Sequence, residues 1–122
     1  NFKQFAILNA FILRKLVSNS FSKNIKIKWP NDLLYKKDKI CGILQEVISH
    51  NQKDYLIVGI GLNTNFSPRN KSFSSTSLKN MVNKNIDNIE ILQNIKNEYE
   101  KFLVEVKKFT YKKLEKKYKK LK

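Results

Sequence analysis

The chain has 122 residues, 41% of them hydrophobic, and a formal charge of +15 at pH 7. That length holds at most one ordinary domain with a modest core, and the apolar fraction is too high for a disordered chain. No apolar run approaches the roughly eighteen residues a membrane span needs, and the lone cysteine, Cys41, excludes an internal disulfide framework and fits a reducing, cytoplasmic compartment. The positive charge is nearly all lysine, scattered among asparagines, a drift that AT-rich coding alone produces. Arginine, which forks onto phosphate and reads guanine, stands only at Arg14 and Arg69. A lysine-rich nucleic-acid-binding module is therefore a rival reading, not the leading one.

In chain order, Phe2, Phe5, Ala6, Leu8, Asn9, Phe11, Ile12, Leu13, Leu16 and Val17 recur at helical spacing, and Ser18-Asn19-Ser20 is expected to end that helix. Its charged and amide interruptions, with no small-residue cleavage site, set it apart from a signal peptide. Ile25 and Ile27 alternate with Lys26 and Lys28, as in a half-buried strand, and Pro30 stops it while biasing Trp29 to extended backbone. Lys28 is thus delivered at a strand end, on the face opposite Ile27. Pro30-Asn31-Asp32 is turn chemistry. Residues 33–35 form a short strand and 36–39 a charged turn. Residues 40–49 and 55–63 are longer strands joined by a hairpin loop at 50–54. Residues 64–75 read as loop and 76–82 as a short helix. Asp87, with Glu90 three residues on, can cap a helix whose apolar positions are Ile89, Leu92, Ile95, Tyr99, Phe102, Leu103 and Val106. A lysine-rich helical tail runs from 111 to 122 with Leu114, Tyr118 and Leu121 on one side. The plan is α+β, a mainly antiparallel sheet with helices on one face.

Two runs carry chemistry. In the strand that contains Gly59-Ile60-Gly61-Leu62-Asn63, alternation sends Gly59, Gly61 and Asn63 to one face. Glycine weakens a strand, and close approach of a ligand is one good reason to keep it. A bulge or close helix packing is the other. Two same-face glycines leave a floor without side chains, with Asn63 at its end. The other run is Lys28-Trp29-Pro30-Asn31-Asp32. There Lys28 is either a surface lysine or a functional cation, Trp29 packing or ligand contact, and Asn31 and Asp32 turn caps or nucleotide contacts.

With Cys41-Gly42-Ile43-Leu44, Glu46 and Thr76-Ser77-Leu78 in the same order, these motifs resemble the biotin–protein ligase family over nearly the whole chain. The resemblance implies a class II aminoacyl-tRNA-synthetase-like domain that makes biotinyl-5′-AMP from biotin and ATP, with Mg²⁺, and passes the biotin to a lysine of a biotin carboxyl carrier protein. It implies Lys28 as the catalytic cation; Lys28, Trp29, Asn31, Gly42, Gly59 and Gly61 against biotin or the adenylate; Asn63 on ATP; and Asp32 as a weaker metal candidate. The family's upstream glycine- and arginine-rich loop and downstream small β-domain find no counterpart, nor does the DNA-binding domain that some members carry. Since the chain begins with Asn, residues 1–122 are expected to be the C-terminal part of a catalytic domain, an incomplete domain. A non-catalytic or partner-binding remnant, a lipoate-ligase-like activity and a homodimer through a sheet edge stay open. His50, alone of its kind, is given no role, and Cys41 is a small buried apolar residue.

Overall fold

The computed structural model describes residues 6–70 and 72–120; Phe2, Phe5 and Leu121, placed above on helical stripes, lie outside them. The described elements are α1 (Asn9–Phe21), β1 (Ile25–Lys28), β2 (Asp32–Tyr35), β3 (Asp38–His50), β4 (Lys53–Leu62), α2 (Leu78–Val82), α3 (Asn88–Lys108) and α4 (Tyr111–Lys120). The four strands lie side by side in chain order, every pair antiparallel. The α+β plan expected from the sequence is what forms.

Strand alternation decides which sheet face the helices cover. Ile25, Leu33, Cys41 and Ile43 project to one side and meet Ala10, Leu13, Leu16 and Val17 of α1, Leu78 and Met81 of α2 and Ile91 of α3. Burying a side chain such as Leu13, Leu33 or Leu78 contributes about 1.5–3 kcal/mol, so this layer holds the sheet flat against α1. A second cluster, Leu8, Phe11, Ile12, Phe102, Leu114 and Tyr118, fastens the tail helix α4 to α1 and α3. The opposite face is open: Lys26, Lys28, Leu44 and Glu46 are exposed there.

Five local expectations need correction. Helix α1 does not stop at Ser18 but runs to Phe21, because Phe21 still packs on the core; Ser22, at φ 52°, then turns left-handed and its N–H donates to the Ser18 carbonyl. The β3–β4 hairpin loop is not residues 50–54 but only Asn51-Gln52, both at positive φ (50° and 63°), the two-residue geometry that matches strand twist. The charged turn shrinks to Lys36-Lys37, with Asp38 and Lys39 drawn into β3. Helix α2 begins at Leu78 and not at residue 76, while Ser77 is the cap its hydroxyl and position lead one to expect, accepting from the Asn80 N–H. In α3 the inward stripe is buried Ile91 and Phe102 with half-buried Ile95, Tyr99 and Val106, while Ile89, Leu92 and Leu103 are exposed. Several registers of that helix carry apolar residues, and the tertiary contact with α1 selects one.

Asp87 accepts from the N–H groups of Ile89 and Glu90, closing two of the donors that a helix start leaves open. Asp87→Ala is expected to lower unfolding free energy by about 1 kcal/mol with an unchanged denaturant slope. A urea titration measures both.

Candidate functional site

The site is built by register. Cα partners run Lys28–Asp32, Asp32–Gly42 and Gly42–Gly61, a straight row across all four strands. Residues directly opposite one another in antiparallel strands share a face, so an ammonium, a carboxylate and two glycines stand together on the helix-free side. Strands lie about 4.8 Å apart, which puts the Lys28 backbone about 10 Å from Gly42.

One irregularity completes the row. Between Leu33 and Leu34 the β2–β3 register shifts: Leu33 faces Cys41, but Leu34 faces Lys39, leaving Ile40 as an extra residue. This bulge swings Lys39 onto the face of Asp32 and Gly42. Its Nζ lies 3.2 Å from Asp32 Oδ1 and 5.0 Å from the Phe73 ring centroid. From sequence alone Lys39 falls in the charged turn at 36–39 and carries no mark of the site. The signal that could have found it is the adjacent apolar pair Ile40-Cys41, both buried, which breaks period-two alternation.

Asp32, Lys39, Gly42, Gly59, Gly61 and Asn63 line a cleft of about 550 Å³, with Leu44, Pro68 and Phe73 also on its wall. The glycines serve differently. A Cβ at Gly42 would sit 3.1 Å from Lys39 Nζ and 3.6 Å from Asp32 Oδ1, so glycine there makes room for the ion pair. At Gly59 and Gly61 a Cβ would meet nothing closer than 3.8 and 3.7 Å, ordinary contact. None of the three has a positive φ. Packing and backbone conformation therefore do not demand glycine at 59 and 61, and what these positions provide is bare floor.

Asn63 follows β4, and its side chain is partly committed. Its Nδ2 donates to the Thr76 carbonyl at 3.1 Å and the Lys39 carbonyl at 3.5 Å, tying the strand end to the loop ahead of α2. Among the described residues its Oδ1 accepts nothing, so an acceptor is what Asn63 offers the cleft.

The Lys28–Asp32 segment is not one cluster. Lys28 is exposed on the cleft's face but outside its lining. Trp29, for which a buried indole was the packing alternative, is 57% exposed; its ring lies 6.2 Å from that of Phe11 on a second cleft, shared with Arg14 and Lys26. The peptide between Trp29 and Pro30 is cis. Asn31 turns to the helix side: its Oδ1 accepts from Gln45 Nε2 at 3.0 Å and its carbonyl from the Ile43 N–H at 2.9 Å. His50 ends β3, exposed at the hairpin.

Beside the glycines, Lys28 and Lys39 stand against the carboxylate of Asp32, a local balance that favours an anionic ligand. A metal has less to hold it. Asp32 Oδ1 is engaged by Lys39, and among the described residues no group of three His, Cys, Asp or Glu could bind an ion. These residues do not fit a protein-held cation, so a divalent ion here would arrive on the phosphates of a ligand.

Cys41, behind the glycine row, is buried; burial, helped by Asp32 and opposed by Lys39, pushes its thiol up to about 12. The thiolate is the reactive form, so native Cys41 is expected to resist alkylation at pH 8 for as long as the chain stays folded. Rapid labelling of the folded chain by a thiol reagent, read by mass spectrometry, would contradict this.

Residues 6–63 match the model of the biotin/lipoate A/B protein ligase family. The chain is 30% identical over 97 residues to the bifunctional ligase/repressor BirA of Bacillus subtilis, covering 75% of this chain and 30% of that one. It is 38% identical over 52 residues to a biotin–[acetyl-CoA-carboxylase] ligase of Mycobacterium tuberculosis, 43% of this chain and 18% of that one. Among solved structures, a mutant biotin protein ligase from Aquifex aeolicus in complex with biotin superposes with a TM-score of 0.77 at 25% identity, over 93% of this chain and 48% of that one. The chain thus spans less than a third of these curated relatives and about half of the solved structure.

Proposed function

Because residues 6–63 match the biotin/lipoate A/B protein ligase family and the chain superposes on a biotin protein ligase, we propose that this chain supplies the nucleotide- and biotin-facing part of a cytoplasmic biotin–protein ligase catalytic domain. In the reaction, a carboxylate oxygen of biotin attacks the α-phosphorus of ATP and pyrophosphate departs, leaving biotinyl-5′-AMP. The amine of a carrier lysine, on a biotin carboxyl carrier protein, then attacks the acyl carbon and AMP departs. Neither step needs an enzyme nucleophile. Both concentrate negative charge, first at phosphorus and then at the acyl oxygen, so the protein's main task is a fixed cation and a shaped floor.

The observation that carries this reading is the row Lys28–Asp32–Gly42–Gly61 on the open face. Lys28, exposed at its end, reaches in to neutralise the carboxylate and the α-phosphate as they approach. Lys39, held by Asp32, adds a second positive charge beside Gly42. Gly59 and Gly61 let the adenylate lie on backbone, and Asn63 Oδ1 accepts from the adenine amino group. Trp29 and Asn31 shape the turn from which Lys28 projects. Mg²⁺, carried by the ATP phosphates, would supply charge neutralisation there. Among the described residues no helix is long and apolar enough to cross a membrane.

The substrate is tested by competition. Biotin-dependent pyrophosphate release from ATP should resist excess lipoic acid, and a preference for lipoic acid would overturn the choice of biotin while leaving adenylate chemistry in place.

A further inference from the structure

The strand that faces the helices carries an out-of-place polar residue. Cys41 and Ile43 of β3 point into the core, and alternation puts Gln45 on that same side. It is not stranded there. Tyr99 Oη donates to Asn9 Oδ1 at 2.8 Å, Asn9 Nδ2 to Gln45 Oε1 at 2.8 Å, and Gln45 Nε2 to Asn31 Oδ1 at 3.0 Å. The partners are 90, 36 and 14 residues apart, so the relay crosses α3, α1, β3 and the turn after β1.

We propose that Asn9 and Gln45 are positioning residues that hold the turn carrying Lys28 and Trp29, through a one-way hydrogen-bond relay ending on Asn31. The ligand consequences below rest on the ligase reading above; the positioning does not.

Direction follows from one acceptor. Asn9 Nδ2 also donates to the Ala6 carbonyl at 3.0 Å, and a carbonyl can only accept. That fixes which edge of the Asn9 amide bears the NH₂, hence which end of Gln45 faces it, hence that Asn31 is met by a donor. Asn9 is 3% exposed and uses both N–H groups and its oxygen. Burial also pushes the Tyr99 hydroxyl up, keeping it a protonated donor at the head of the chain. At buried Asn9 every hydrogen-bonding group is used, so breaking a link there leaves a buried group unpaired, which favours one geometry of the relay. The turn's backbone is also tied by the Lys28–Asp32 pairing and by the Asn31 carbonyl, which accepts from the Ile43 N–H; what the relay adds is a hold on the Asn31 side chain beneath the exposed Trp29 and Lys28.

Trp29 is the only tryptophan, so its fluorescence reports this turn alone. Gln45→Met keeps the length and removes the hydrogen bonds; Gln45→Glu restores a link once the Asn31 amide turns over to donate. In the ligand-free chain, Gln45→Met should lower Trp29 anisotropy and Gln45→Glu should return it toward wild type. Affinity for a non-hydrolysable biotinyl-adenylate mimic should fall about tenfold in Gln45→Met, the worth of one buried hydrogen bond, and recover to within about threefold in Gln45→Glu. If Gln45→Met does not fold, Asn31→Ala cuts only the last link, at the sheet rim, and should loosen Trp29 equally. Unchanged anisotropy in whichever of these two variants folds overturns the proposal. Failure of the wild-type chain to bind the mimic, with Trp29 loosened in the variants, overturns the ligand reading and leaves the relay standing.

Discussion

Lys28→Ala is expected to lower biotinyl-adenylate formation about a hundredfold while leaving the melting temperature nearly unchanged. The size comes from the chemistry: removing one preorganised group that stabilises charge developing in a transition state costs about 3 kcal/mol. The stability half comes from the fold. Lys28 is exposed at the end of β1, and the core contact of that strand end belongs to its neighbour Ile27. Surface substitutions of this kind stay within about 0.5 kcal/mol. Single-turnover adenylate formation, corrected for folded fraction, and thermal melting measure the two halves. A sharp fall in melting temperature with intact activity per folded molecule would make Lys28 a structural residue.

Gly61→Val is expected to weaken binding of the biotinyl-adenylate mimic by more than about tenfold in a chain that still folds, since overpacking a close-fitted surface typically costs 1–3 kcal/mol. The nearest atom to a Cβ there, the Gly42 carbonyl, is 3.7 Å away, and valine suits strand backbone. Its methyl groups would stand where the floor is now bare. Gly42→Val makes a different lesion, because its Cβ would press on Lys39 Nζ at 3.1 Å and disturb the pairing with Asp32. Unchanged affinity in folded Gly61→Val would remove the floor from the account.

What the sequence made legible was periodic. Alternation at Ile25–Lys28 and spacing in α1 placed the first helix and strand, and the hydrogen-bonding habit of Asp87 marked the start of α3. Alternation also put Gly59 and Gly61 on one face. What stayed hidden depends on pairing between strands. A register shift at Ile40 decides that Lys39 meets Asp32, and register alone lines Gly42 up with Gly61. The same holds for Asn31 and Asn63: the Asn31 side chain is drawn to Gln45, 14 residues away on the helix side and off the ligand face expected for it, and the Asn63 amide N–H to the Thr76 carbonyl, 13 residues away, leaving only its oxygen for the cleft. Which of the apolar positions of α3 are covered is likewise hidden: Ile89, Leu92 and Leu103 are exposed, and an isolated helix has no partner to choose among its apolar registers.

The most direct test is calorimetric titration of the folded chain with a non-hydrolysable biotinyl-adenylate mimic. Micromolar or tighter binding, weakened more than about tenfold by Gly61→Val and weakened by Lys28→Ala, is the predicted result. No binding by a chain that melts cooperatively would contradict the assignment of the Lys28–Asp32–Gly42–Gly61 face as an adenylate site.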